Sequence, residues 1–372
     1  MTALQIMVVS DGPAESPTTN SGVARGVTRA IMRSGAAQVV ASISSRPTGF
    51  LRSLLLLLSI RPTRRWWWYT YNFGRISTMA RSLKRERVAR KLREQGKLDL
   101  VLHIRNIYTP SRIPYVAFID STSAMANRGW SAWGAPTERA RRSQFRNEKR
   151  YYQNAICVVT AGAQAADSVV EDYGIDYRRV AAIGGGVNFD PLPSVDLSVR
   201  GRFTILWVGV DYRRKGGDML VAAFAQVRDR YPDARLLMVG VDQQADVPGV
   251  DWLGEVRDRD ALARLYAQAS VFCLPARHEP YGLVIQEAMA FGLPCVVTGT
   301  GALPAIVEHE RTGIVVRQPG ELSAALIRLL GDPDLALNLG MRGREKAESQ
   351  LTWDAVVERL LDTVQSTKGI SS

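Results

Sequence analysis

The chain has 372 residues, 46% hydrophobic and 23% charged, which exceeds what one core ordinarily organises and is too apolar for a largely disordered chain. Its three cysteines, Cys157, Cys273 and Cys295, are scattered and sit in or beside apolar runs, which excludes a disulfide framework and a metal-ligand spacing and suits a reducing compartment. The net charge of +12 belongs to the first half: residues 1–190 hold 28 Lys/Arg against 13 Asp/Glu, whereas residues 191–372 hold 20 against 23.

In chain order, residues 4–9 predict a first strand, opening into a long loop over 11–20 that ends at Ser21-Gly22-Val23, with a helix over 24–33. This start reads as a strand and loop rather than as a secretory signal, and the leucine run 54–58 is far too short to span a bilayer. Arg61, Arg64 and Arg65 flank Pro62, and Trp66-Trp67-Trp68-Tyr69 follow, before a basic segment over 81–97. Aromatic rings beside arginines suit an anionic membrane surface; the competing reading is a core element with a solvated basic face. Nucleic acid is not expected as a partner, because no zinc-finger spacing, RNA-binding aromatic motif or helix-turn-helix is recognisable. Further strands over 39–42, 98–104, 115–119 and 155–159 alternate with amphipathic segments, the rhythm of a parallel sheet with helical crossovers. His103 lies on one of these runs and reads as a satisfied core histidine. Gly184-Gly185-Gly186 reads as a turn, because no helix clearly follows it.

Residues 190–202, with Pro191 and Pro193, predict a linker, after which the pattern repeats in kind. Strands are predicted over 203–208, 235–239, 271–274, 294–297 and 313–316, with helices over 218–230, 260–269 and 321–330. A last helix over 353–364 closes the chain. Asp258-Arg259-Asp260 precedes a helix and reads as a cap rather than a metal site.

Two segments of this second half carry chemistry. Gly209-Val210-Asp211-Tyr212-Arg213-Arg214-Lys215-Gly216-Gly217 follows a strand and precedes a helix, so its basic side chains are placed to clamp a diphosphate. His278-Glu279-Pro280-Tyr281-Gly282-Leu283-Val284-Ile285-Gln286-Glu287 sets two carboxylates seven residues apart across a helix start, expected to run over 281–291. The amides of Tyr281, Gly282 and Leu283 then lack intrahelical partners, and a helix start suits phosphate. Glu287 is placed to accept from ribose hydroxyls and Glu279 to hold another polyol, which together describe a nucleotide sugar. The competing reading makes Glu279 a cap and Glu287 a solvated charge.

The Glu-x7-Glu pattern, with Ala288-Met289-Ala290, Gly292-Leu293-Pro294, the turn at Thr298 to Gly301 and Thr312-Gly313, resembles the donor-site signature of family-4 retaining glycosyltransferases of the GT-B fold. That resemblance implies an α/β chain of two doubly wound, Rossmann-like domains facing each other across a cleft. The domains are expected at 1–190 and 203–350, with 191–202 as linker and the helix of 351–372 crossing back to the first. Lys215 falls at the lysine of the family's Gly-Arg-x-x-x-x-Lys-Gly pattern, while Val210 stands where that family has arginine. Either Arg214 or Arg213 supplies the second positive charge, or Lys215 acts with helix amides alone. At the end of the strand over 115–119, where many members carry histidine, this chain has Asp120, placed to bond a sugar hydroxyl or the acceptor or else only to form an Asx turn. Gly22 is the expected point of backbone approach to the diphosphate.

The resemblance implies transfer of a sugar from a nucleoside diphosphate donor (UDP or GDP) to an acceptor hydroxyl with retention, without cofactor or metal. The expected setting is cytoplasmic, on the inner face of the cytoplasmic membrane if the basic half binds it. Two alternatives remain open at this point: a phosphorylase or epimerase of the same fold, and a catalytically silent binding subunit, the latter suggested by Val210 and Asp120.

Overall fold

The computed structural model describes residues 3–16, 19–105, 107–130, 134–244, 246–318 and 320–370, the side chains of 20 and 368–370 excepted. The chain forms two compact units, Met1–Gly186 with Trp353–Ser372, and Val187–Thr352.

The first unit is built on β1 (Leu4–Ser10), β2 (Ala37–Ser44), β3 (Leu100–Ile104), β4 (Tyr115–Ile119), β5 (Val158–Thr160) and β6 (Val180–Ala182), paired in parallel in the order β2-β1-β3-β4-β5-β6. The second holds β7 (Thr204–Val208), β8 (Arg235–Val239), β9 (Val250–Gly254), β10 (Val271–Leu274), β11 (Cys295–Thr298) and β12 (Gly313–Val316), again parallel, in the order β12-β11-β10-β7-β8-β9. Central strands such as β3, β4 and β7 are buried along their whole length, as parallel strands covered by helices on both faces must be. Each sheet reverses its direction of growth once, between β1 and β3 in the first and between β7 and β10 in the second. Loops leaving the carboxyl ends of two strands diverge at such a reversal and open a crevice for ligands.

Two strands lie outside the periodic pattern. β6 has three partly exposed residues, and β9, with sequence VDWLG, is a half-buried edge strand carrying Asp251. The tryptophan run is helical, within Arg64–Phe73, with Tyr69 buried and Trp68 exposed. Residues 190–202 pack on the second unit: Arg200 donates to Phe291 O (2.9 Å), and Gly201 N to Gln268 O (2.7 Å). The last helix, Trp353–Ile370, belongs to the first unit, where Trp353 lies against Gly26 and Gly186 and Arg33 pairs with Asp354 at 2.8 Å.

The core of the first unit absorbs polar groups that a sequence alone leaves ambiguous. His103 is fully buried, with Nδ1 2.8 Å from Tyr151 Oη, and burial beside Arg85 holds it well below the usual imidazole range, so it is neutral. Glu148, nearly fully buried, accepts from Ser123, Tyr152 and Tyr173, and burial raises its carboxyl. The three cysteines are buried free thiols whose ionisation burial opposes, Cys157 being pushed up to about 12.

Candidate functional site

The reversal point of the second sheet gathers the basic and acidic motifs. The loop after β7 brings in Arg214 and Lys215, and the loop after β10 brings in Glu279, all three largely buried. Arg214 Nη1 donates to His278 O (2.8 Å) and to Glu279 Oε2 (3.3 Å), while its Nε lies 3.3 Å from Asp211 Oδ2. Lys215 Nζ stands 3.5 Å from the same Glu279 oxygen. Backbone ties hold the two loops together, since Arg277 N and His278 N both donate to Arg214 O, and the Trp207 indole of β7 donates to Lys215 O at 3.1 Å. The Lys215 stem lies over Gly209, where a Cβ would come within 2.4 Å of the lysine Cδ, so any larger residue there would displace the ammonium. Arg214, not the exposed Arg213, therefore faces the glutamate, while Val210 points to solvent at 79% exposure.

The helix beyond Glu279 runs Leu283–Ala290, two residues shorter at its start than expected. Gly282 occupies the cap at φ 102°, a left-handed conformation that glycine adopts without strain, and Pro280 and Tyr281 remain in the preceding bend. Of the three amides expected at the helix start, only that of Leu283 belongs to the first turn. Tyr281 is buried instead, its hydroxyl accepting from the Gln286 amide.

Glu287 is not a solvated charge. It is buried on this helix, with Oε1 3.2 Å from Arg259 Nη2 and Oε2 accepting from Tyr266 Oη at 3.0 Å. Arg259 in turn lies over the Phe189 ring, its guanidinium carbon 3.9 Å from the centroid. An ionised carboxylate offers about four lone-pair sites, so two hydroxyls can still be accepted while Arg259 and Tyr266 fix its orientation. The sequence did not reveal this support, because Phe189 and the helix that carries Arg259 and Tyr266 belong to segments separate from that of Glu287. Arg259 occupies the middle of Asp258-Arg259-Asp260, and Asp258 itself caps the helix Arg259–Gln268 by accepting from Asp260 N.

In the first unit, Gly22 is the cap of the helix Val23–Ser34 at φ 84°, beyond β1, and Asp120 is an exposed residue directly after β4. Thr122, not Asp120, caps the following helix, accepting from Met125 N at 3.1 Å. Both candidates thus lie toward the carboxyl edge of their sheet. His278 has its imidazole held below the usual range by burial and by Arg214, so it is neutral beside Glu279. Among the described residues no three His, Cys, Asp or Glu side chains stand close enough to hold a metal ion.

Two parallel doubly wound sheets, each with its reversal point and the second carrying this charged cluster, define the GT-B class of fold. Residues 202–332 match the family model described as Glycosyl transferases group 1. Over 200 residues the chain is 31% identical to the GDP-mannose-dependent alpha-(1-6)-phosphatidylinositol monomannoside mannosyltransferase of Mycobacterium tuberculosis, covering 47% of this chain and 52% of that one. The chain spans about half the length of the curated relatives it matches. Among solved structures, sucrose-phosphate synthase from Thermosynechococcus elongatus superposes with a TM-score of 0.68 at 19% identity, covering 99% of this chain and 100% of that one. HepE of Anabaena, solved with UDP and glucose, does so at 0.65 and 15% identity, covering 98% and 100%.

Proposed function

We propose that the chain is a retaining glycosyltransferase that moves a sugar from a nucleoside diphosphate donor to an acceptor hydroxyl, in the manner of the family-4 enzymes, in the biosynthesis of a glycan, glycolipid or glycoconjugate. The observation that carries this reading is the assembly of Arg214, Lys215 and Glu279 at the reversal point of the second sheet, beside the helix start at Leu283. The bond between the anomeric carbon and the β-phosphate oxygen breaks as the acceptor oxygen bonds to the same face. The acceptor proton passes to the departing phosphate oxygen, so no protein nucleophile is needed. Negative charge grows on the diphosphate as it leaves, and Lys215 and Arg214 stabilise that charge more than they stabilise the donor. Glu279 orients the sugar, Glu287 holds the ribose, and Gly282 with the Leu283 amide admits a phosphate oxygen. Tyr281 shapes the loop. Asp120 bonds a sugar or acceptor hydroxyl, and Gly22 lets the diphosphate approach the backbone. The relative's GDP-mannose makes GDP one candidate donor nucleotide, with UDP the other.

A thermal-shift panel of UDP, GDP, ADP and their sugars tests the donor reading. A ligand at a hundred times its Kd stabilises the native state by about 2.7 kcal/mol, which is about 5–10 °C for a unit of this size. The cognate nucleotide should give that shift, and its sugar should yield product of unchanged anomeric configuration by NMR. No shift with any of them, or an inverted product, removes the proposal.

We also propose that the basic half meets an anionic membrane surface. The helices Gly49–Leu58 and Arg64–Phe73, with the turn between them, leave Phe50, Leu57, Ile60 and Trp68 exposed among the likewise exposed Arg52, Arg61 and Arg64. Such a mixture lets rings and aliphatic chains enter the headgroup layer while guanidiniums meet lipid phosphates. Among the described residues no helix is long and apolar enough to cross a membrane. In flotation, phosphatidylglycerol vesicles should recover the protein and phosphatidylcholine vesicles should not. Equal, negligible recovery from both would dismiss the idea.

A further inference from the structure

The carboxyl edge of the first sheet carries a second charged constellation that the transfer reading does not use. Asp11 follows β1 and Arg105 follows β3, so both stand at the reversal point of that sheet. Arg46 reaches it from beyond β2, and Arg81 from the helix Arg75–Glu94. Arg81 is 1% exposed, and its Nε and Nη1 have no hydrogen-bond partner among the described residues. Its contact with a carboxylate is at 3.7 Å, from Nε to Asp11 Oδ1. Arg46 Nη2 and Arg105 Nη1 each stand 3.8 Å from Asp11 Oδ2, beyond hydrogen-bonding reach of the carboxylate, although Arg46 Nη2 donates to the Asp11 backbone carbonyl at 3.3 Å. Neighbouring Arg85 differs, since its guanidinium donates to Thr109 O at 2.9 Å and to Glu86 at 2.7 Å.

Three guanidiniums therefore surround one carboxylate that satisfies none of them fully. A buried cation is expensive unless paired and hydrogen-bonded. The excess of two positive charges, with planar donors converging from three elements, matches a phosphate monoester, whose oxygens accept forked guanidinium bonds. Arg46 and Arg105 are exposed, so an anion can reach their donors from solvent, whereas Arg81 is buried. Arg105 is held there at φ 87°, an uncommon conformation for a residue with a side chain, which fixes the direction in which it leaves the strand.

We infer that Arg46, Arg81 and Arg105 form a phosphoryl-binding site on the first unit and that it recognises a phosphate carried by the acceptor. The word acceptor rests on the transfer reading; the anion site does not. Calorimetric titration of the full chain with glycerol 3-phosphate and with glycerol tests it. Glycerol 3-phosphate should bind and glycerol should not; Arg105→Gln should weaken binding about tenfold, and Asp11→Asn, which removes the competing carboxylate, should strengthen it. Arg105→Gln should keep the wild-type melting temperature; Asp11→Asn, which leaves buried Arg81 without its carboxylate, should melt lower and recover on adding glycerol 3-phosphate, and both variants should keep their nucleoside diphosphate affinity. If the phosphate belongs to a lipid headgroup, phosphatidate vesicles should compete with glycerol 3-phosphate; if to a soluble metabolite, they should not. Equal affinity for glycerol and glycerol 3-phosphate, or an unchanged affinity in Arg105→Gln, overturns the site. Phosphate binding with no response to any nucleotide would remove the transfer reading and leave this one standing.

Discussion

Replacing Lys215 by alanine is expected to lower the turnover of sugar transfer by about 10²- to 10³-fold, the usual cost of removing one prepositioned group that stabilises transition-state charge. The ammonium stands 3.5 Å from Glu279 in a buried cluster, so a departing diphosphate meets it with little intervening water. At an effective dielectric constant of about 20, two unit charges about 4 Å apart interact by about 4 kcal/mol, enough to account for a loss of that size. The fold should survive, because Arg214 still holds Glu279 and the backbone ties between the two loops do not involve the lysine side chain. Single-turnover kinetics read the effect directly. Nucleoside diphosphate affinity should fall too, since the leaving group carries the charge that the lysine meets. Unchanged turnover with unchanged affinity would remove Lys215 from the site.

Glu287→Ala should weaken nucleoside diphosphate binding about ten- to a hundredfold, the worth of one or two hydrogen bonds to a charged acceptor. A structural cost accompanies it. Tyr266 loses its carboxylate partner in a buried position, and Arg259, about one third exposed, turns partly to water, so about 1–2 kcal/mol of stability is expected to go. The two effects separate by measurement: denaturant melts give the stability term, and calorimetry on the folded variant gives the affinity. Should Glu287 serve the fold alone, the melt moves and the affinity of the remaining native protein does not. Glu287→Gln keeps the shape and a partner for Tyr266, so it isolates the lost charge.

How far the chain could be read depended on how local each signal was. Alternating apolar runs announced two parallel sheets, because a strand covered on both faces must be apolar along its length, as β3, β4 and β7 are. Lys215, Glu279 and Glu287 stood out for a similar reason: backbone geometry at a strand end or helix start is set within a few residues, and their spacing travels with it. Edge strands β6 and β9 escaped notice, since half-exposed strands need no apolar run. The helix start moved from Tyr281 to Leu283 because a glycine free to take φ 102° captured the cap, a choice that proline two residues earlier did not decide.

What the sequence determined by itself was the layered α/β class, the repeat of one pattern in two halves, and the positions of the charged residues proposed to meet a diphosphate and its sugars. What tertiary structure alone decided was partnership. That Arg214 rather than Arg213 faces Glu279, that Arg259 and Tyr266 fix Glu287, and that Arg46, Arg81 and Arg105 converge on Asp11 depend on loops and helices far apart in the chain being brought together by the fold. Strand order is set by long-range packing, and no local periodicity records which distant loop will stand beside which.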